Sequence, residues 1–310
     1  MRLVRDYREL RWRQGPRRAV TVGNFDGVHL GHRAVLRAAR ERAREGGLEL
    51  AVLTFEPGPA QLLRPDTAPL RLTAPERKHE LLAEAGADLV LAQRFDAGFA
   101  ALSPEEFARL VLVDSLGARA VVVGRNFRFG RGRAGTAESL KAIGAALDFE
   151  VDSLDLVSGG DAGISSSRIR ALLAAGDVAG AARLLGRPHE LEGEVIRGAG
   201  DGRRLGFPTA NLGDLRVMAP GPGIYAARWS AAGEGGAAAV YIGDRPTLGH
   251  GSSVEAHLLD REIDLYGRRL RLDFVERLRD DRRFADRGSL AAQLGRDVEA
   301  ARAAFAAADA

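Results

Sequence analysis

The sequence predicts an α/β half built on a parallel sheet, followed by an antiparallel β half. Three observations lead there. Before about Leu185, short apolar runs alternate with helical stretches, and the runs are apolar at nearly every position, as in strands buried on both faces. After it, short runs recur between turns rich in Gly, Asp and Pro, the texture of a barrel or sandwich. The 310 residues leave room for roughly two domains of ordinary size.

Along the chain, Ala19–Asn24, Glu49–Phe55, Ala87–Gln93, Arg119–Gly124 and Phe149–Val157 read as strands. Gly31–Glu45, Pro75–Ala85, Ser103–Leu112 and Thr136–Leu147 read as the helices between them. Ser103-Pro104-Glu105-Glu106 is a capping box with proline at the first helical position. An open sheet of this kind binds ligands beyond the carboxyl ends of its strands. In the second half, LEGEVIR, GIYAARW, AAAVYIG, SVEAHLLD and RLRLDFVERL read as strands. Ser289–Ala306 has apolar residues at helical spacing and is expected to pack on the barrel. Gly186-Arg187-Pro188 is the expected joint, which divides the chain into domains 1–186 and 187–310.

Composition excludes several classes. There are no cysteines, so there are no disulfides or thiolate metal sites, in keeping with a reducing cytoplasm. No apolar run approaches the ~18 residues of a membrane span, and the charged N-terminus shows no signal peptide. Of the 45 basic residues only Lys78 and Lys141 are lysines; the rest are arginines dispersed among Ala and Gly, without the clustered face that nucleic-acid binding needs. No Gly-Lys pair occurs, so the phosphate loop GxxxxGK[ST] is absent.

The most informative segment is Thr21–Leu36, TVGNFDGVHLGHRAVL. A strand runs into a glycine-rich turn, and two histidines three residues apart open a helix. Gly23, Gly27 and Gly31 allow a sharp turn and close approach to a ligand. The helix N-terminus offers free N–H groups and partial positive charge to a phosphate. His29 and His32 share one face of that turn and can donate to a triphosphate as pyrophosphate departs. A structural histidine pair, or half of a zinc site, is the competing reading. There is no HExxH, however, and His79, His189, His250 and His257 sit in no ligand-like spacing.

GNFDGVHLGH is similar to the HxGH signature of nucleotidyltransferases, in the version carried by bacterial bifunctional riboflavin kinase/FAD synthetases. The likeness continues through TFEP (Thr54–Pro57), RLT (Arg71–Thr73), Glu105–Phe107, VVVGRNFRFGRGRAG (Val121–Gly135) and GISSSRIR (Gly163–Arg170). The resemblance implies a Rossmann-like nucleotidyltransferase domain in which the FMN phosphate attacks the α-phosphorus of ATP, releasing pyrophosphate and forming FAD. It assigns ATP phosphates to His29 and His32, and places Gly23, Asn24, Phe25, Asp26 and Gly31 around the reacting groups. Asn126 matches the flavin- or nucleotide-side loop. Ser165, Ser166, Ser167 and Arg168 combine helix-start hydroxyls with a guanidinium fork suited to polyphosphate, though such serines alone are more often a helix cap. One departure is Gly58-Pro59, where the family commonly has His-Pro; another is serine at 167 in place of threonine.

The second cluster is GRRLGFPTANL (Gly202–Leu212), followed by IGDRPTLG and SVEAHLLDREIDLYG. Pro208 fixes the chain before Thr209, whose hydroxyl can face a phosphate or Mg²⁺, and Asn211 offers a second hard oxygen ligand. Read alone, PTAN could equally be a plain turn, and Glu255 between Val254 and Ala256 a solvent-facing strand residue. Together they resemble the riboflavin kinase signature, which implies a six-stranded antiparallel β-barrel with a C-terminal helix. By that resemblance Gly206, Pro208, Thr209 and Asn211 bind ATP and riboflavin, Thr209 and Asn211 hold Mg²⁺, and Glu255 is the base for the ribityl hydroxyl. Tyr241 replaces the family's usual asparagine, and Asp281-Arg282 its glutamate-lysine.

The expected function is phosphorylation of riboflavin to FMN by the second half and adenylylation of FMN to FAD by the first, with Mg²⁺ as cofactor and ATP as co-substrate. A single-activity nucleotidyltransferase would share HxGH but lack PTAN…VEAH. A non-catalytic flavin- or RNA-binding regulator would have no need of both histidines, Thr209, Asn211 and Glu255. Small molecules are the expected partners, with no nucleic acid and no membrane; transient self-association stays open.

Overall fold

Successive apolar side chains of the first-half strands go to opposite faces of one sheet, and both faces are covered. The computed structural model describes residues 1–155, 163–198, 200–245, 251–261 and 263–308. It divides into two compact units, Met1–Pro69 with Ala74–Ser165, and Leu70–Thr73 with Ser166–Ala310.

The first unit holds six parallel strands: β1 (Arg2–Val4), β2 (Arg18–Val22), β3 (Glu49–Phe55), β4 (Leu89–Gln93), β5 (Ala118–Gly124) and β6 (Glu150–Leu154). Their order is β1-β4-β3-β2-β5-β6. Val20, Val22, Leu53, Leu91, Val121 and Val123 join one core cluster, while Ala19, Leu50, Val52, Val90, Ala120 and Val122 join the other. Helices α1 (Leu30–Glu45) and α2 (Pro75–Glu84) pack on the second face through Leu36, Ala39, Leu81 and Leu82. The first face takes α3 (Ala137–Leu147) and the helix predicted at Ser103. That helix has its capping box: Ser103 Oγ accepts from Glu106 N–H and Glu106 Oε2 from Ser103 N–H. It begins at Pro104–Glu106 and passes into a π-helical stretch, Phe107–Ser115, three residues beyond the predicted end. The strand predicted at Phe149–Val157 covers Glu150–Leu154; Leu156 and Val157 lie outside the described residues. β1 was not anticipated, because three residues carry too little pattern.

The second unit contains a closed barrel of six antiparallel strands: β7 (His189–Ile196), β8 (Ala210–Gly213), β9 (Gly223–Ala231), β10 (Glu234–Arg245), β11 (Gly251–Leu258) and β12 (Arg269–Arg279). Closure leaves no strand edge unpaired. Alternation sets the two faces: Val240 and Ile242, or Val254, Ala256 and Leu258, are buried inside, and the residues between them face out. Helix α6 (Arg287–Ala308) lies on that outer face, where Ala301 and Ala304 pack with Ala226, Ala237 and Ala239. Two further helices, α4 (Ser166–Ala174) and α5 (Val178–Leu185), belong to this unit. Arg277 on β12 ties their turn to the barrel through Ala175 O and Pro222 O. Among the described residues no helix is long and apolar enough to cross a membrane.

Candidate active sites

In the first sheet the strand order reverses at β2, which has β3 on one side and β5 on the other. The loop at its carboxyl end therefore opens into the crevice such sheets use for ligands. Phe25 and Val28 take φ of +50° and +39°, a left-handed conformation costly for a β-branched residue. Their buried side chains hold it in place.

The loop ends at His29, the N-cap of α1, whose Nδ1 accepts the His32 N–H at 3.2 Å. A neutral His29 ring must then carry its proton on Nε2. The His32 ring stacks on it, and the Phe25 ring meets His32 edge-on at 5.2 Å. Burial, with His29 and Lys78 nearby, pushes the pKa of His32 well below the ordinary imidazole value. His32 is thus held uncharged, and the N-cap bond fixes the His29 ring beside it. A Cβ at Gly31 would lie 3.2 Å from the His29 ring and 3.6 Å from Ile164 O, so glycine lets the Gly163–Ser165 segment approach the histidines.

Beneath the loop lies a buried polar cluster that sequence reading passed over. Thr54 Oγ1 donates to Asn24 O at 3.1 Å and accepts from Lys78 Nζ at 3.2 Å. Lys78 pairs with Glu56 at 2.9 Å, and His79 Nε2 lies 3.3 Å from the same carboxylate oxygen. Burial alone would raise the Glu56 pKa, but His79 and Lys78 outweigh it and bring it down to about 2. The one available signal was a lone lysine in an arginine-dominated segment.

The remaining first-site residues are distributed as follows. Gly23 lets the Phe25 ring lie against it, Asp26 sits half-buried in the loop, and Asn126 is exposed just beyond the end of β5. Ser165 is the last residue of the first unit, while Ser166, Ser167 and Arg168 form the first turn of α4 in the second. Gly58-Pro59 opens a short helix, Pro59–Leu63, where Gly58 N–H donates to Gln61 Oε1.

In the barrel, Asn211 on β8 and Tyr241 on β10 are the register partners of Glu255 on β11. Glu255 faces outward, as alternation requires, yet not into open solvent. It lines a cavity of about 300 Å³ roofed by Leu290, Leu294 and Val298 of α6. Thr209 Oγ1 donates to Glu255 Oε2 and Ser253 Oγ to Oε1, each at 3.4 Å, which orients the carboxylate from both sides. Thr209 also lines a second cavity of about 650 Å³ with Gly206, Pro208, Arg203, Arg261 and Tyr266. Thr209 therefore lines both a mainly apolar pocket and a more polar one, each of which carries two arginines. His257 fixes the approach: Nδ1 lies 2.8 Å from Pro208 O and the ring packs edge-on against Phe207. A Cβ at Gly198 would lie 2.4 Å from the Asn211 amide, so a side chain there would push that amide aside. His250 and the Pro246–Gly249 part of IGDRPTLG lie outside the described residues, as does Glu262.

Residues 13–168 match the FAD synthetase family and residues 185–305 the riboflavin kinase family. A bifunctional riboflavin kinase/FMN adenylyltransferase of Escherichia coli is 41% identical over 309 residues, covering 98% of both chains. One of the same description from Pseudomonas fluorescens is 41% identical over 91% of both. The chain belongs to this bifunctional family. The fold is also that of a crystal structure described as a macrolide-efflux protein from Streptococcus pneumoniae, with a TM-score of 0.87 and 30% identity over 97% of this chain and 98% of that one.

Within the family pattern, two departures of this chain touch each other. The Tyr241 hydroxyl donates to Asp281 Oδ2 at 3.2 Å, and both residues line the 300 Å³ cavity. Arg282 reaches Gln293 on α6 and lies 4.9 Å from the centroid of the Phe284 ring.

Proposed function

We propose that the barrel phosphorylates riboflavin and that the HxGH site adenylylates the resulting FMN, each reaction consuming one ATP, with the division of labour falling near Gly186. The observation that carries this reading is that Thr209 lines both cavities while hydrogen-bonding Glu255, which lines the smaller one and has Asn211 as its register partner. The smaller cavity, lined by Phe207, Ile224, Leu290, Leu294 and Val298, suits an isoalloxazine ring, and the larger, more polar one, with Arg203 and Arg261, a nucleoside triphosphate. The 5′-hydroxyl oxygen of the ribityl chain attacks the γ-phosphorus, its proton passes to Glu255, and ADP leaves. Thr209 and Asn211 offer neutral oxygens, and Mg²⁺ takes few protein ligands beside phosphates and water, so the donor set fits that ion. Bound there, it would neutralise phosphate charge.

In the first site a phosphate oxygen of FMN attacks the α-phosphorus of ATP, and the bond to pyrophosphate breaks. His29 Nε2 and His32 donate to the oxygens that gain charge, while the α1 N-terminus and the Ser165 hydroxyl hold phosphates. Positioning and neutralisation suffice, so no side-chain nucleophile takes part. Dependence on ATP and on small flavins places the enzyme in the cytoplasm, with small molecules as partners. Incubation with riboflavin, ATP and Mg²⁺, followed by chromatographic separation of riboflavin, FMN and FAD, tests the reading. Both products are expected in sequence, and the appearance of neither overturns it.

A further inference from the structure

We infer that Lys78 is a positioning residue for adenylyl transfer, holding the loop that carries His29 and His32 through the hydroxyl of Thr54. In a chain with two lysines and 43 arginines, Lys141 is exposed on the surface, whereas Lys78 is only 6% exposed. Its ammonium lies on the carboxyl end of β3, against Glu56 at 2.9 Å, Thr54 Oγ1 at 3.2 Å and Phe55 O at 3.5 Å. A compact tetrahedral nitrogen thus reaches oxygens of three consecutive residues. The planar guanidinium fork of arginine cannot reproduce that geometry.

The arrangement fixes the direction of the Thr54 hydroxyl. With Lys78 donating to its oxygen, the hydroxyl proton is directed to Asn24 O, 3.1 Å away. Asn24 is the residue at which the loop turns into its left-handed course through Phe25 and Val28 to His29. The lysine thus fastens a strained segment at its origin, and the histidine pair is set at the other end. Its positive charge also opposes protonation of His32.

A buried ammonium–carboxylate pair is weak evidence for stability, since apolar residues of similar volume often serve as well or better. Its presence under this loop therefore points to precision in the site. The inference rests on reading the HxGH site as an adenylyltransferase, and wild-type FAD formation tests that reading separately.

The experiment uses the full chain, assayed for FAD formation from FMN and for riboflavin phosphorylation on the same preparation. Lys78→Met alone strands a buried carboxylate, so the informative variant is Lys78→Met with Glu56→Gln. It is expected to phosphorylate riboflavin as the wild type does and to lose kcat for FAD formation by about 10²-fold, the scale of a displacement near 1 Å, with KM for FMN little changed. Lys78→Arg should not restore the rate. In a His32→Ala background the same double change should cost far less, because Lys78 acts through that loop. An unchanged kcat, a parallel loss of both activities, or a full loss on top of His32→Ala would each overturn the inference.

Discussion

His29 and His32 lie face to face, with ring centroids 3.6 Å apart and planes 14° from parallel. Two imidazolium ions would repel strongly at that separation, and burial adds to the cost of charging His32. His32 therefore works as a neutral donor, and the N-cap bond fixes the His29 ring against it before any nucleotide arrives. His32→Ala should accordingly lower FAD formation from supplied FMN by about 10²–10³-fold, the scale for losing one preorganised donor. Riboflavin phosphorylation, measured beside it, should stay near the wild-type rate, so that FMN accumulates.

Glu255→Gln keeps the shape of the side chain, and the Thr209 and Ser253 hydroxyls can still reach it. What it loses is the capacity to take the ribityl proton. FMN formation should slow by ~10²–10⁴-fold, while adenylylation of added FMN persists. A well-folded variant that lost both activities would contradict the two-site division.

The helices before the barrel bear on where a working kinase fragment begins. Ile169, Leu173, Val178, Ala181 and Leu185 of α4 and α5 are buried, and Gly221 N–H donates to Leu173 O. A fragment starting at Ser166 should fold and phosphorylate riboflavin. One starting at Arg187 uncovers the apolar surface these helices protect and should melt at lower temperature by circular dichroism. Equal melting of the two would show that the helices are dispensable to the barrel.

His189 gives the barrel a pH dependence of predictable sign. It is 1% exposed, its Nε2 lies 2.7 Å from Met218 O, and burial, aided by Arg187, lowers its pKa to about 4. Between about 6.5 and 4 the unfolded chain binds a proton that the folded barrel refuses, so stability falls as pH drops through that window. The full effect is roughly 3 kcal/mol. Denaturation can be followed by the fluorescence of buried Trp229 in a Trp12→Phe background. Wild type should lose stability over this range relative to His189→Gln, which can still donate to Met218 O but does not titrate. Parallel curves would remove His189 as the cause.

The sequence by itself determined the parts whose signal is local. Strand–helix alternation, the capping box at Ser103 and the apolar periods place most large elements within a few residues, α4 and α5 excepted, because period and chirality are properties of short segments. The HxGH turn was legible for the same reason, being one run of residues whose chemistry and spacing belong together.

Only the tertiary structure decided what lies across from what. Thr54 and Lys78 are 24 residues apart and meet because α2 packs beside β3; their spacing carries no pattern. Glu255 read equally well as a solvent-facing strand residue until α6 closed a cavity over it. Tyr241 and Asp281 looked like two separate departures from the family pattern, yet β9, which pairs with both β10 and β12, brings them within hydrogen-bond reach. Strand register and helix packing are fixed by the burial of the whole core. Pairings of this kind are therefore settled by the folded chain as a unit, and no short window of sequence contains them.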